Sequence, residues 1–295
     1  MKKIFTISIS FILIVFLVSC NGKKAKKYDS LVFDFANDGI LTKNDVDYWT
    51  EGYFEEKDIP KKTVEFNGIQ YTGQYHTSII STGEPYATHY FYTDDRIRFG
   101  IRGDTEQLVS FTVMNNEYFN TEPYLDDVKN AYEVAYDIAN NIAKQHLDDI
   151  DSYTLIEKES DVEEKERDGK IYTITYYRFK YVKIISGFET SDYISVSVNS
   201  KGHLAAVNMG NIGAFDNIEI SFEESKVNES VIQKAKEIYK NTGYTLLSNE
   251  IVYQKIAITP DGKVCIVSDL EVSLQDTSKQ IYGTKVRILT ILQTE

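Results

Sequence analysis

Asp34, Asp38 and Asp45 fall at the first, fifth and twelfth positions of one stretch, with Gly39 at the sixth and Leu41 at the eighth. Oxygen ligands at that spacing can wrap a calcium ion around a glycine turn. Ala36 removes an oxygen from the third position, and the Asp45 carboxyl is a methylene shorter than the glutamate that usually closes such a loop. An Asp-Gly turn followed by a helix, with Thr42 and Asp45 as its capping box, accounts for the same residues without an ion. The expectation is no metal and no cofactor, with calcium at Asp34, Asp38 and Asp45 as the alternative. His76, His89, His146 and His203 show no ligand spacing, and there is no H-E-x-x-H, no G-x-S-x-G and no phosphate-cradling glycine loop. Carboxylates occur as neighbours, at Asp94-Asp95, Asp126-Asp127 and Asp148-Asp149 with Asp151. A glycosidase instead needs its pair facing each other across a cleft. No catalytic residue is expected. Tyr71, Tyr75, Tyr86, Tyr90 and Tyr92 crowd one segment around Phe91. Most suit cross-strand packing; Tyr90 and Tyr92 are the candidates for an outward binding face, since tyrosine is favoured at interfaces.

The two cysteines have different surroundings. Cys20 ends a basic start (Lys2, Lys3) and an apolar run from Ile4 to Val18, too short to span a bilayer as a mature helix. Leu17-Val18-Ser19-Cys20 resembles a bacterial lipobox, which implies lipidation of Cys20 after removal of residues 1–19. A stably anchored acyl-cysteine would hold the chain on the extracytoplasmic side of the cell membrane. Lys23, Lys24, Lys26 and Lys27 would add attraction to anionic headgroups, about 1 kcal/mol each near the surface. Cys265 has no partner for an intrachain disulfide and sits in the alternating run Lys263 to Val267, which reads as a buried small hydrophobe. The 295-residue chain carries a net charge of −13, and losing Lys2 and Lys3 with the signal makes it −15. That argues against nucleic acid, whose phosphates select basic surfaces.

The elements that must position these residues alternate between helical and extended patterns. Val128, Ala131 with Tyr132, Ala135, Ile138 with Ala139, and Ile142 form an apolar stripe that predicts a helix over 126–146. Val227, Val231, Ala235 and Ile238 predict another over 223–240, with Ser221 and Glu224 as its capping box and Gly243 as its stop. A weaker stripe predicts a third over 44–57. Alternation predicts hairpins at 96–113, at 193–207 around Ser200-Lys201-Gly202, and at 256–267 around Pro260-Asp261-Gly262. The longest β pattern is 170–185, preceded by an acidic run over 161–168 that reads as a solvated loop. One helix followed by hairpins, recurring, predicts an α+β fold: repeated units of one amphipathic helix packed on an antiparallel sheet. The division expected is 1–19 signal, 20–30 tether, 31–120 an N-terminal α+β region, then units at 121–215 and 216–295.

The hairpin Ile194, Val196, Val198, Asn199, Lys201, Gly202 and Leu204, followed by a helix entry at Ser221, Glu223 and Glu224, resembles the PepSY/YcdB-like repeats of exported bacterial proteins. Weaker echoes fall at 97–108 and 258–264. The resemblance implies a helix-against-sheet module that binds proteins or peptides and can restrain peptidases; it supplies no catalytic residues. The sequence therefore points to a membrane-tethered, non-enzymatic binding module with a protein or peptide partner. The alternatives are an extracytoplasmic hydrolase with carboxylates from distant segments and a solute-binding lipoprotein.

Overall fold

The computed structural model describes residues 29–32, 52–54, 59–80, 86–114, 127–167, 169–240, 242–259 and 262–292. Cys20, Asp34, Asp38 and Asp45 lie outside them, as do the signal and most of the tether. The strands are β1 (Asp29–Val32), β2 (Gly52–Phe54), β3 (Lys62–Phe66), β4 (Ile69–Ile80), β5 (Ala87–Tyr92), β6 (Ile97–Arg102) and β7 (Leu108–Val113). The helix α1 (Ala131–His146) and a single 3₁₀ turn (Ile150–Ser152) follow. Then come β8 (Thr154–Arg167), β9 (Lys170–Ile185), β10 (Phe188–Asn199), β11 (Leu204–Met209), α2 (Glu224–Tyr239), β12 (Thr245–Ile258), β13 (Val264–Gln275) and β14 (Ile281–Ile291).

The expected α+β fold of repeated helix-on-sheet units is not what forms. Of the described residues 55 % are strand and 17 % helix, and the strands join one continuous mixed sheet. The path runs β1-β14-β13-β12-β10-β11-β7-β6-β5-β4-β2, with β3 on β4 and β8 on β9. The physical reason is that the alternating segments are too long and too mutually paired to close as separate units. β7 bonds to β11 and β12 runs parallel to β10, so every block shares ladders with its neighbours. Two further expectations are corrected. The acidic run is the outer half of β8, paired residue by residue with β9. The Tyr-, Thr- and Ile-rich β9 imposes extension on its partner, and Arg178 and Tyr176 bind Asp161 (3.1 Å) and Glu163 (3.0 Å) across the ladder. Residues 52–54, inside the expected third helix, are strand.

The predicted hairpins form as β6–β7, β10–β11 and β12–β13. Gly202 and Gly262 turn two of them at φ +78° and +79°, the left-handed region that glycine enters without a Cβ penalty. The helix over 223–240 begins one residue late, and Ser221 does not cap it. Glu223 holds the N-cap without a side-chain cap bond and pairs with Lys226 instead (2.7 Å).

Both helices pack on the same face of the sheet. Phe91, Phe99, Phe111, Val207, Val196 and Phe179 are register partners along one row across six strands, and all are buried in the cluster that α1 closes with Ala135, Ala139 and Ile142. Val227, Val231 and Ala235 of α2 close a second cluster over Ile256, Ile266 and Ile288. Each such buried Val or Ile contributes about 1.5–3 kcal/mol. Tyr181 in the first cluster and Ile185 against the second stand four residues apart on the uninterrupted β9, so the two clusters share a side of the sheet. Cys265 is fully buried on the opposite side, with Ala257, Val267 and Leu289.

Candidate functional site

The sheet forks at β10. Its residues 194–198 pair with β11, while Glu189 and Thr190 pair, on the same side, with Lys255 and Ile256 of β12. Between them the ladder to β9 slips its register between Glu189 and Tyr193. A fork leaves backbone groups without strand partners, and buried groups of that kind must be satisfied another way. Gly210 N–H donates to the Tyr193 carbonyl (2.8 Å) and Asn211 N–H to that of Ser191 (2.8 Å). Asp192 N–H donates to Thr190 Oγ1 (3.1 Å). The Asp192 carboxylate, fully buried, accepts the Tyr153 hydroxyl (2.7 Å) and the Gly213 N–H (3.0 Å). Burial raises the Asp192 pKa despite these bonds, and burial and the nearby carboxylate raise that of Tyr153. Sequence reasoning passed over Asp192; its signal is an acid at an inward-facing position of the alternating run TSDYISV.

On the face away from the helices, two complete rungs cross the sheet beside this fork. One runs Tyr90, Gly100, Ser110, Asn208, Ser195, Lys180; the next runs Tyr92, Arg98, Thr112, Ala206, Ser197, Arg178. Their members on β7, β11 and β10 are small. Their ends are aromatic or cationic. The rungs therefore describe a shallow channel with a floor of hydroxyl, amide and methyl groups. Ser110 donates to the Asn208 side-chain carbonyl (3.0 Å), and Asn208 itself is exposed. Gly100 is needed in the floor: a Cβ there would stand 2.8 Å from Thr88 Cγ2 and 2.9 Å from Tyr90 Cε1.

At the fork end the channel opens into a hollow of about 310 Å³ lined by Arg178, Lys180, Thr190, Tyr193, Ser195, Asn208, Tyr253 and Lys255. Lys180 bonds to Glu189 and lies 5.3 Å from the Tyr193 ring centre. Tyr253 donates to the same carboxylate (3.3 Å), and burial together with Glu189 pushes its phenol up to about 12. At the other end Arg98 stands 5.1 Å over the Tyr90 ring, a cation–π contact. Its Nε is buried without a hydrogen-bond partner among the described residues. Tyr92 packs edge-on against His76 at 4.8 Å. The structure thus brings the two sequence-selected tyrosines together on one face and adds Arg98, Arg178 and Lys180, which sequence reasoning did not select.

The other candidates are scattered. His89 Nδ1 bonds to Ser78 Oγ (2.7 Å), which also meets the Tyr75 hydroxyl (2.9 Å). Ser78 is fully buried, so the group ties β4 to β5 and offers no accessible nucleophile. His146 stacks on Phe66, and burial lowers its pKa. Asp94, Asp95, Asp148, Asp149 and Asp151 are exposed. Burial opposes ionisation of Asp127, but bonds from Lys201 (2.7 Å) and Ser200 (2.6 Å) outweigh it and hold the pKa low. Among the described residues no three His, Cys, Asp or Glu side chains gather as a metal site. No family model, no curated protein and no solved structure matches the chain.

Proposed function

We propose that this chain is an extracytoplasmic binding protein, held to the cell membrane through lipidated Cys20, that receives a protein or peptide partner on the side of its sheet opposite α1 and α2. The supporting observation is the pair of rungs: small, mostly polar side chains across β7, β11 and β10, bounded by tyrosines and cations. Asn208 and Arg178 are exposed on that floor and Thr112, Ser195 and Ser197 partly so, which leaves them open to contact. Tyrosine and arginine are the side chains enriched where proteins meet, and the Leu17 to Cys20 motif supplies the anchor.

The test is site-specific crosslinking in intact cells. A photoreactive residue replacing exposed Asn208 should give a discrete adduct, and the same residue replacing Glu229 on the solvent side of α2 should not. Equal labelling at both positions, or none at Asn208, would remove the channel from the proposal.

A further inference from the structure

We infer that the channel takes an extended acidic peptide segment, with two carboxylates spaced to reach Arg98 at one end and Arg178 at the other. The inference rests on the binding-face reading above and adds the chemistry of the ligand.

Three observations carry it. First, neither rung contains an acidic residue, in a chain with 45 Asp and Glu against 32 Lys and Arg. Second, no carboxylate among the described residues pairs with Arg98, whose guanidinium is held over Tyr90 with a buried, unbonded Nε. A guanidinium in that state presents its remaining donors to an incoming carboxylate in the fork geometry that matches it. Third, the pair that competes for Arg178 is loose: Arg178 meets Asp161 at 3.1 Å, with the two side chains 44 % and 71 % exposed, whereas Lys180 stays with Glu189. An ion pair so open to water exchanges readily for another.

The spacing selects the shape of the ligand. Arg98 and Arg178 stand four strands apart on one rung, about 19 Å at roughly 4.8 Å per strand. An extended peptide advances about 3.3 Å per residue, so acids six residues apart span about 20 Å. An even separation also puts both carboxylates on the same side of the peptide. The small floor lets a backbone lie flat, and Thr112, Ser195, Ser197 and Asn208 offer hydrogen bonds between the charged ends. The chain's net negative charge does not prevent this, because charges farther than about 8 Å are largely screened at physiological ionic strength.

The experiment is fluorescence anisotropy with the full chain in detergent. The probe is a labelled Ser/Thr peptide with two glutamates six positions apart. Comparison peptides carry glutamines instead, or glutamates three apart. The first peptide should bind about tenfold or more tightly than either, the scale of one lost charge-assisted bond. Arg98→Gln and Asn208→Glu should each weaken it about tenfold or more, the first by removing a partner and the second by placing a like charge in the floor. Glu229→Gln should change nothing. Should Arg98→Gln fail to fold, Asn208→Glu at an exposed position gives the answer alone. Equal binding of the glutamate and glutamine peptides overturns the inference. So does dextran sulfate binding where the peptide does not, which would assign the channel to a polyanion of another class. Asn208 crosslinks that persist while the peptide fails to bind leave the binding face standing and remove only the acidic ligand. Loss of both removes both.

Discussion

Asp192 carries a charge in a place that penalises it, and the sign of its effect follows. Its folded-state pKa is raised above the unfolded 3.8, chiefly by burial. The stability this group contributes is therefore fully present below the unfolded value and is lost as pH rises through the folded one. Asp192→Asn should destabilise the protein, since one of two accepted bonds is replaced by a misplaced donor, by about 1–3 kcal/mol. That deficit should narrow as pH rises from about 4 through the raised pKa. Urea unfolding of both proteins across that range checks it, and a deficit that widens with pH would show the sign to be wrong. Tyr90 and Tyr92 could be chosen from the sequence because they alternate with Phe91. Arg98 and Asp192 could not, because what distinguishes them is the lack of a nearby carboxylate and the depth of a fork, and both are set by residues far away in the chain.

At the scale of elements, the α1 stripe was legible from its spacing, and a direct test separates its faces. Ile142→Ala, on a nearly buried side chain, should cost about 2–5 kcal/mol, while Asn141→Ala on the exposed side should cost little. Equal melting temperatures would mean that the helix is rotated. Hairpin turns were legible for a similar reason, since their glycines lie between alternating runs. The fork was not, because it depends on a parallel contact of two register pairs between β10 and β12, and no local pattern encodes that. Its geometry nonetheless makes a sharp demand. A Cβ on Gly210 would sit 2.0 Å from the Ser191 carbonyl oxygen, whereas one on Gly283 would meet nothing within 4 Å. Gly210→Ala should therefore destabilise by about 3 kcal/mol or more, through overpacking against backbone, and Gly283→Ala should be close to neutral. Denaturant midpoints of the two variants decide it. The acidic half of β8 is the plainest misreading: charge density suggested a loop, and a strong β partner overrode it.

For the molecule as a whole, the proposed anchor has its own test. Cys20→Ala should leave the protein in the soluble fraction or as uncut precursor, and mass spectrometry of the native protein should find an acylated Cys20. An unmodified N-terminus would remove the anchor. The sheet's composition was legible as many alternating segments, but its single continuous path was not, because strand order is fixed by partners distant in sequence. The seam between β1 and β14 shows the extreme case: Asp29 stands opposite Ile291, near the two ends of the chain. Loop closure over such a separation is entropically costly and slow to be rewarded. That edge of the sheet cannot be zipped until the last strand exists and has reached the same compartment as the first. On the proposed export route, a polypeptide wired this way would leave the ribosome and cross the membrane before finishing that seam, which would keep it threadable for as long as export lasts. Attaching lipid at Cys20, nine residues before β1, would then also fix where that final seam closes, within about 30 Å of the bilayer at full extension.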